Sequence, residues 1–235
     1  MKLEEIVLSG ISELGVELPD GAMEKLRAYY ELLTLRGAEM NLTAIKGEED
    51  AANLHFLDCL GLLRCCDFSG SIVDVGTGAG FPGVPLAIAR PDLQITLMDS
   101  TEKKINFLRE VSETVNVPAR CVHARAEEAG QDAEFRESFD FAVSRAVARL
   151  SLLCELTLPL VRPGGKFVAM KSADSDEEIK EAAKAIKILG GAPAKIEEYK
   201  VPGTDIVRRA VIIEKTAHTD KKYPRRFAKM QKSPL

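Results

Sequence analysis

No apolar run in this chain approaches the ~18 residues of a membrane-crossing helix. The start, Met1-Lys2-Leu3-Glu4-Glu5, carries acids where a signal peptide has a basic stretch followed by an apolar block. A cytoplasmic protein without a membrane partner is expected. Five cysteines (Cys59, Cys65, Cys66, Cys121 and Cys154) form neither a Cys-x-x-Cys pair nor a zinc spacing, and an odd number of thiols reads as free, mostly buried side chains. The three histidines, His55, His123 and His218, complete no metal set, so no metal is expected. No internal repeat is visible. With 235 residues and 46% hydrophobic content, the chain suits one large α/β domain with an appendage.

Two nucleotide signatures are also missing. In the run Val73-Asp74-Val75-Gly76-Thr77-Gly78-Ala79-Gly80-Phe81-Pro82-Gly83, the sixth position from Gly76 is Phe81, so the dinucleotide pattern G-x-G-x-x-G fails. A Gly-Lys-Ser/Thr phosphate loop is absent as well. What remains is D-x-G-x-G-x-G from Asp74 to Gly80, set between an apolar strand and a helix start at Val84. It is similar to the glycine loop of class I S-adenosylmethionine-dependent methyltransferases. Bare backbone at Gly76, Gly78 and Gly80 lets a ligand approach closely, and Asp74 at the loop mouth suits a cofactor carrying an ammonium and a sulfonium. Nineteen residues after Gly80, the alternating run Leu93 to Met98 ends in Asp99. An acid there holds ribose hydroxyls or caps the helix after Ser100-Thr101.

The acceptor side is also marked by absences. The fourth strand lacks the Asp/Asn-Pro-Pro-Tyr ending of exocyclic-amine methyltransferases, and no Pro-Cys dipeptide supplies the nucleophile of cytosine-C5 enzymes. Instead it ends Ser144-Arg145-Ala146. Arginine cannot act as a general base, so the acceptor should need no deprotonation, as guanine N7 does not. Arg145 would orient the base, hold a phosphate or hold the cofactor carboxylate; otherwise it pairs with an acid. After the third strand, His123-Ala124-Arg125-Ala126-Glu127 is placed to meet adenine through Ala126 and Glu127, with Arg125 on the substrate or structural side. His55 and Asp58, three apart on one helical face, read as structural or catalytic.

The net charge of −4 hides an asymmetry: from Lys215 to Leu235 there are seven Lys/Arg and one acid, Asp220. This basic tail reads either as a contact for a polyanion or as a solvated segment.

The pattern predicts three regions: a helical extension at residues 1–65, a Rossmann-like α/β domain at 66–215, and the basic tail at 216–235. Strands are expected at Ser71–Val75, Gln94–Met98, Ala119–His123, Phe139–Ser144 and Lys166–Met170, the last entered by a turn at Arg162-Pro163-Gly164-Gly165. A hairpin follows, Ala194–Val201 and Asp205–Glu214 around Pro202-Gly203. A helix is expected over Glu48–Leu63, with a loop or short strand at Met40-Asn41-Leu42-Thr43-Ala44 before it.

Taken together, Asn41-Leu42-Thr43-Ala44, His55-Phe56-Leu57-Asp58, the block Val75 to Pro85, Asp99-Ser100 with Lys103, Arg125-Ala126-Glu127, Ser144-Arg145-Ala146, Lys171 and Tyr223-Pro224-Arg225-Arg226 closely resemble the bacterial RsmG (GidB) family of 16S rRNA guanine-N7 methyltransferases. The resemblance covers nearly the whole chain. It implies S-adenosylmethionine as cofactor, S-adenosylhomocysteine as product, and methylation of N7 at guanine 527 in the 530 loop. It also implies a cofactor border of Gly76, Gly78, Phe81, Asp99, Ser100, Thr101, Ala126, Glu127 and Arg145. Asn41, His55, Lys103, Arg125, Lys171, Arg225 and Arg226 become RNA-side candidates, and Arg145 and Arg125 the catalytic ones. The partner is 16S rRNA, the small subunit or its assembly intermediate; DNA is not expected, and a monomer suffices. Arg36-Gly37-Ala38-Glu39 stands where the family often has Trp-Asn, and Phe227-Ala228 follows Arg226 where the family runs basic. Deleting Tyr223 to Leu235 is expected to impair RNA binding and spare the cofactor. Methylation of another RNA or a small molecule, or cofactor binding by a non-enzymatic assembly factor, are the alternatives.

Overall fold

Alternating side chains along the strands divide the apolar residues between two faces of one sheet. In this computed structural model, which describes residues 2–40 and 47–235, the strands are β1 (Ser71–Val75), β2 (Gln94–Asp99), β3 (Ala119–His123), β4 (Phe139–Arg145), β5 (Val161–Ser172), β6 (Lys195–Lys200) and β7 (Val207–Glu214). Their order is β3-β2-β1-β4-β5-β7-β6. The first five pair in parallel, while β7 runs antiparallel to both β5 and β6. This is the expected Rossmann-like sheet with its closing hairpin. Strand β5 differs from expectation: it begins at Val161, and Arg162 to Gly165 lie within it at a register shift against β4 rather than in a separate turn.

One face, carrying Ile72, Leu97, Val143 and Val168, packs on α1 (Leu3–Leu14), α2 (Ala22–Met40), a helical arm and the helices α6 (Gly83–Ala89) and α7 (Glu102–Thr114). The arm consists of α3 (Glu48–Ala51), a π-helical stretch Ala52–Leu57, α4 (Asp58–Leu60) and α5 (Leu62–Cys65), in place of one continuous helix. Residues 2–40 and 47–65 therefore share their core with the sheet. The other face, with Val73, Val75, Phe167 and Ile213, packs on α9 (Leu150–Thr157) and α10 (Asp176–Ile188). The short helix α8 (Ala126–Ala129) also lies on this side, with Ala129 in its core.

The basic tail is docked rather than solvated. Lys215 is fully buried, its Nζ donating to Leu158 O at 2.7 Å and Thr219 Oγ1 at 2.6 Å; burial pushes its ammonium down to about 8. Arg136 donates to the carbonyls of Thr219 and Tyr223 at 2.7 and 2.8 Å. The last helix, α11 (Phe227–Lys232), buries Met230. All five thiols are free; Cys59, Cys66 and Cys154 are buried. No described helix is long and apolar enough to cross a membrane, and the described residues contain no cluster that could hold a metal ion.

Candidate active site

The glycine loop leaves the C-terminal end of β1, where the strand order reverses between the paired strands β1 and β4. Gly76 and Gly78 have φ of 68° and 62°, the left-handed region that glycine enters without strain. A Cβ on Gly78 would meet only the Gly76 carbonyl, at 3.9 Å, so open space lies in front of the loop. A Cβ on Gly80 would lie 2.7 Å from the Tyr29 hydroxyl and 2.7 Å from Val84 Cγ2. Gly80 is thus bare to admit protein packing behind the loop. Tyr29 Oη completes that support by donating to Ala79 O at 2.6 Å.

Asp74 also works from behind. It is fully buried, and its Oδ2 accepts from Thr77 Oγ1 at 2.7 Å and Gly83 N at 2.8 Å. The expectation that Asp74 meets the cofactor at the loop mouth is corrected: it braces the turn. Desolvation pushes its carboxyl up to about 6, and Oδ1 has no protein partner.

A cavity of about 250 Å³ lies in front, lined by Gly76, Asp99, Ser100, Arg125, Ala126 and Glu127, with Val147, Leu156 and Phe227 closing it. Asp99 Oδ2 accepts from Gly78 N at 3.0 Å and Oδ1 from Thr101 N at 2.9 Å. Oδ2 also accepts from Lys104 Nζ at 3.4 Å, which leaves Oδ1 a lone pair for a further donor, so glycine cradle and carboxylate fit an adenosine-containing ligand. Thr101 contributes its backbone N–H.

A second cavity, of about 560 Å³, lies across the end of β4 and is lined by Leu54, His55, Asp58, Arg145, Ala146, Lys171 and Arg208, among others. Arg145, expected on the cofactor border, lines this cavity and not the smaller one. The π-helical stretch positions the Leu54 carbonyl to accept from Arg145 at 3.0 Å. Asp58 Oδ2 accepts from Arg145 at 3.2 Å and Oδ1 from Arg208 at 3.1 Å. His55 Nδ1 lies 3.1 Å from Arg145 Nη2, and since arginine only donates, Nδ1 accepts. Burial, with Arg145 beside it, pushes the His55 imidazole down to about 3.

Phe81, expected on the cofactor border, packs in the core. It is 5% exposed, stacked on His55 with ring centroids 4.2 Å apart, and beneath the Arg145 guanidinium at 4.8 Å. His55, 6% exposed, combines that stack with a place in the wall of the larger cavity.

Two further RNA-side candidates are engaged internally. Lys171 Nζ donates to Ala148 O at 2.8 Å and pairs with Glu178 at 2.6 Å. Arg225 forms a two-pronged pair with Glu155, at 2.7 and 2.6 Å, and Glu155 is 1% exposed. A buried carboxylate needs such a partner. Arg125 is 57% exposed at its side chain, with Glu127 3.7 Å away. Arg226 and Lys103 lie at the surface, and Asn41 falls outside the described residues.

The comparisons bear on which chemistry these cavities serve. The GidB family, described as rRNA small subunit methyltransferase G, matches residues 22–207. The chain belongs to the GidB family. Among its relatives, the "Ribosomal RNA small subunit methyltransferase G" proteins of Acetivibrio thermocellus and Alkaliphilus oremlandii are each 43% identical over the whole chain, covering 98% and 100% of the relative. A methyltransferase structure from Pyrococcus furiosus shares the fold, with TM-score 0.54 and 16% identity over 83% of this chain and 99% of that one.

Placed within the GidB family, the site contains residues that sequence reasoning passed over. Asp58 was seen only as a partner of His55, and Arg208 and Glu155 not at all. Val147, Leu156 and Phe227 enter the smaller cavity from three separate elements. Val147 directly follows the Ser-Arg-Ala segment and Phe227 directly follows Arg226, whereas no sequence signal marks Leu156.

Proposed function

We propose that this GidB-family chain methylates N7 of guanine 527 in the 530 loop of 16S rRNA, using S-adenosylmethionine and releasing S-adenosylhomocysteine. The observation that carries the reading is the pair of cavities on either side of the Arg145–Val147 segment, one fronted by the glycine cradle and Asp99, the other by Arg145. When bound, the cofactor supplies an electrophilic sulfonium methyl: the N7 lone pair takes the methyl carbon, the S–C bond breaks onto sulfur, and the positive charge moves to the purine.

No proton needs removing in that exchange, and the second cavity offers no good base. Asp58 is neutralised by two guanidiniums, His55 titrates near 3, and Glu178 is paired with Lys171. The protein's contribution is positioning, which supplies roughly 7–11 kcal/mol in well-oriented reactions. Asp99 and Gly76 would hold the ribose and methionine portions, and Ala126 and Glu127 the adenine. Arg145, fixed by Leu54, Asp58 and His55, would present its remaining N–H groups to the base. Arg125, Arg226 and Lys103 would meet RNA phosphates. A cytoplasmic monomer fits this reading.

The test is methyl transfer from labelled S-adenosylmethionine to small-subunit rRNA of unmethylated cells, free and in particles. About one methyl per rRNA is expected, with binding that weakens steeply as salt rises because phosphate contacts release counterions. Cofactor binding without transfer to either form would overturn the reading in favour of an assembly factor.

A further inference from the structure

The two cavities are separated by two consecutive residues. Ala146 lines the larger cavity, while Val147 lines the smaller one together with Gly76. Ala146 has φ of 56°, one of three described non-glycine residues in the left-handed region. That backbone turn puts Ala146 and Val147 on opposite sides of the β4 end. Val147 rests on the bare Cα of Gly76: a Cβ there would lie 2.5 Å from Val147 Cγ2 and 3.3 Å from Cγ1. The missing Cβ of Gly76 therefore makes a seat for Val147 as well as room for a ligand.

The turn is pinned on both sides. Before it, buried Ser144 donates to Val75 O at 2.9 Å, tying β4 to β1, and Arg145 is held by Leu54 O and Asp58. After it, Lys171 Nζ holds Ala148 O, Glu178 fixes Lys171, and Glu178 also accepts from Leu150 N at the start of α9. A strained residue persists where its surroundings over-determine it. The side chain so fixed is 39% exposed and has apolar contact with the loop, so stability alone does not account for holding it there.

We propose that the Ala146–Val147 turn is the partition across which the methyl group passes, and that Val147 is a positioning residue that holds the cofactor's reactive end toward the acceptor cavity. The inference rests on the methyltransferase reading above. Lys171 acts through this turn by fixing Ala148.

Two measurements test it. With parent protein, Val147→Ala and Val147→Ile, kcat and KM for rRNA are compared with S-adenosylhomocysteine affinity by calorimetry. Val147→Ala should lose about tenfold or more in kcat with KM and ligand affinity within threefold. Val147→Ile, which keeps the β-branched contact, should recover at least half of kcat. Unchanged kcat in Val147→Ala, or equal losses in kcat and affinity, overturns the proposal. Independently of activity, Val147→Cys in a Cys65→Ser/Cys121→Ser background is labelled with a thiol reagent. Bound S-adenosylhomocysteine should slow labelling at least tenfold, and an unchanged rate overturns the proposal. Absence of transfer by the parent protein would instead count against the methyltransferase reading, and the labelling result would still stand.

Discussion

The Asp58 carboxylate lies 3.2 Å from the Arg145 guanidinium, with only 2% of its side chain exposed and 17% of Arg145's. Arg208 shares the same carboxylate at 3.1 Å, so one buried acid orients two cations around the larger cavity. Removing one member of a buried pair leaves the other uncompensated, at a cost of about 3 kcal/mol. Asp58→Ala should lose about that much in urea denaturation while cofactor affinity stays near parental, since Asp58 lies outside the smaller cavity. A loss below ~1 kcal/mol would show that water already serves both guanidiniums.

Gly78 and Gly80 should separate under the same substitution. Alanine at Gly80, with φ of 110° and neighbours at 2.7 Å, should destabilise the fold by about 2 kcal/mol. Alanine at Gly78 should cost only ~1 kcal/mol for its left-handed φ, yet lower cofactor affinity ~10-fold by filling the open space before the loop. Thermal unfolding and calorimetry on both variants distinguish the two roles.

Loss of the tail should reach the cofactor. Deleting residues from Tyr223 onward removes Phe227 from the smaller cavity and strips Glu155 of Arg225. Cofactor affinity should therefore fall together with RNA affinity, contrary to the expectation from charge alone. Arg225→Ala should reproduce the stability part of this loss, about 3 kcal/mol, and Glu155→Gln in that background should restore some of it. An unaltered cofactor affinity in the deletion would show that Phe227 only borders the cavity.

Acid stability should carry the signature of His55. The unfolded chain takes up a proton on this residue as pH falls below 6.5, whereas the folded chain resists until about 3. The contribution is therefore intact above pH 6.5 and is lost as pH falls. Asp74 has the opposite sign: its folded carboxyl, raised to about 6, holds a proton the unfolded chain has released. Comparing parent with His55→Gln isolates the histidine. The variant should gain on the parent by up to about 1.4 kcal/mol per pH unit between pH 6.5 and 4. A pH-independent difference would place His55 in contact with water.

The glycine loop, Asp99 and the strand sequence were legible because each is a local spacing that backbone geometry dictates. Even so, the alternating glycines did not reveal that Gly80 faces Tyr29, a contact 51 positions away in the chain. Arg145 could be named from the end of β4, but its partner Asp58 and the Arg208 that shares that carboxylate reside on an α-helical arm and on a returning strand, 87 positions before Arg145 and 63 after it. Charge counting in the tail missed internal pairings for the same reason. Lys215 and Arg225 add to the basic total but are consumed by Glu137 and Glu155, and only the fold brings those acids near. Arg226 remains at the surface as a candidate for RNA.

The most direct test of the account is to locate the methyl group. Small-subunit rRNA methylated by this protein would be reduced and cleaved at N7-methylguanine, and the break mapped by primer extension. The account predicts one break, at guanine 527, in the free rRNA or in the particle. A methyl on an exocyclic amine, or N7 methylation at a different guanine, would contradict it.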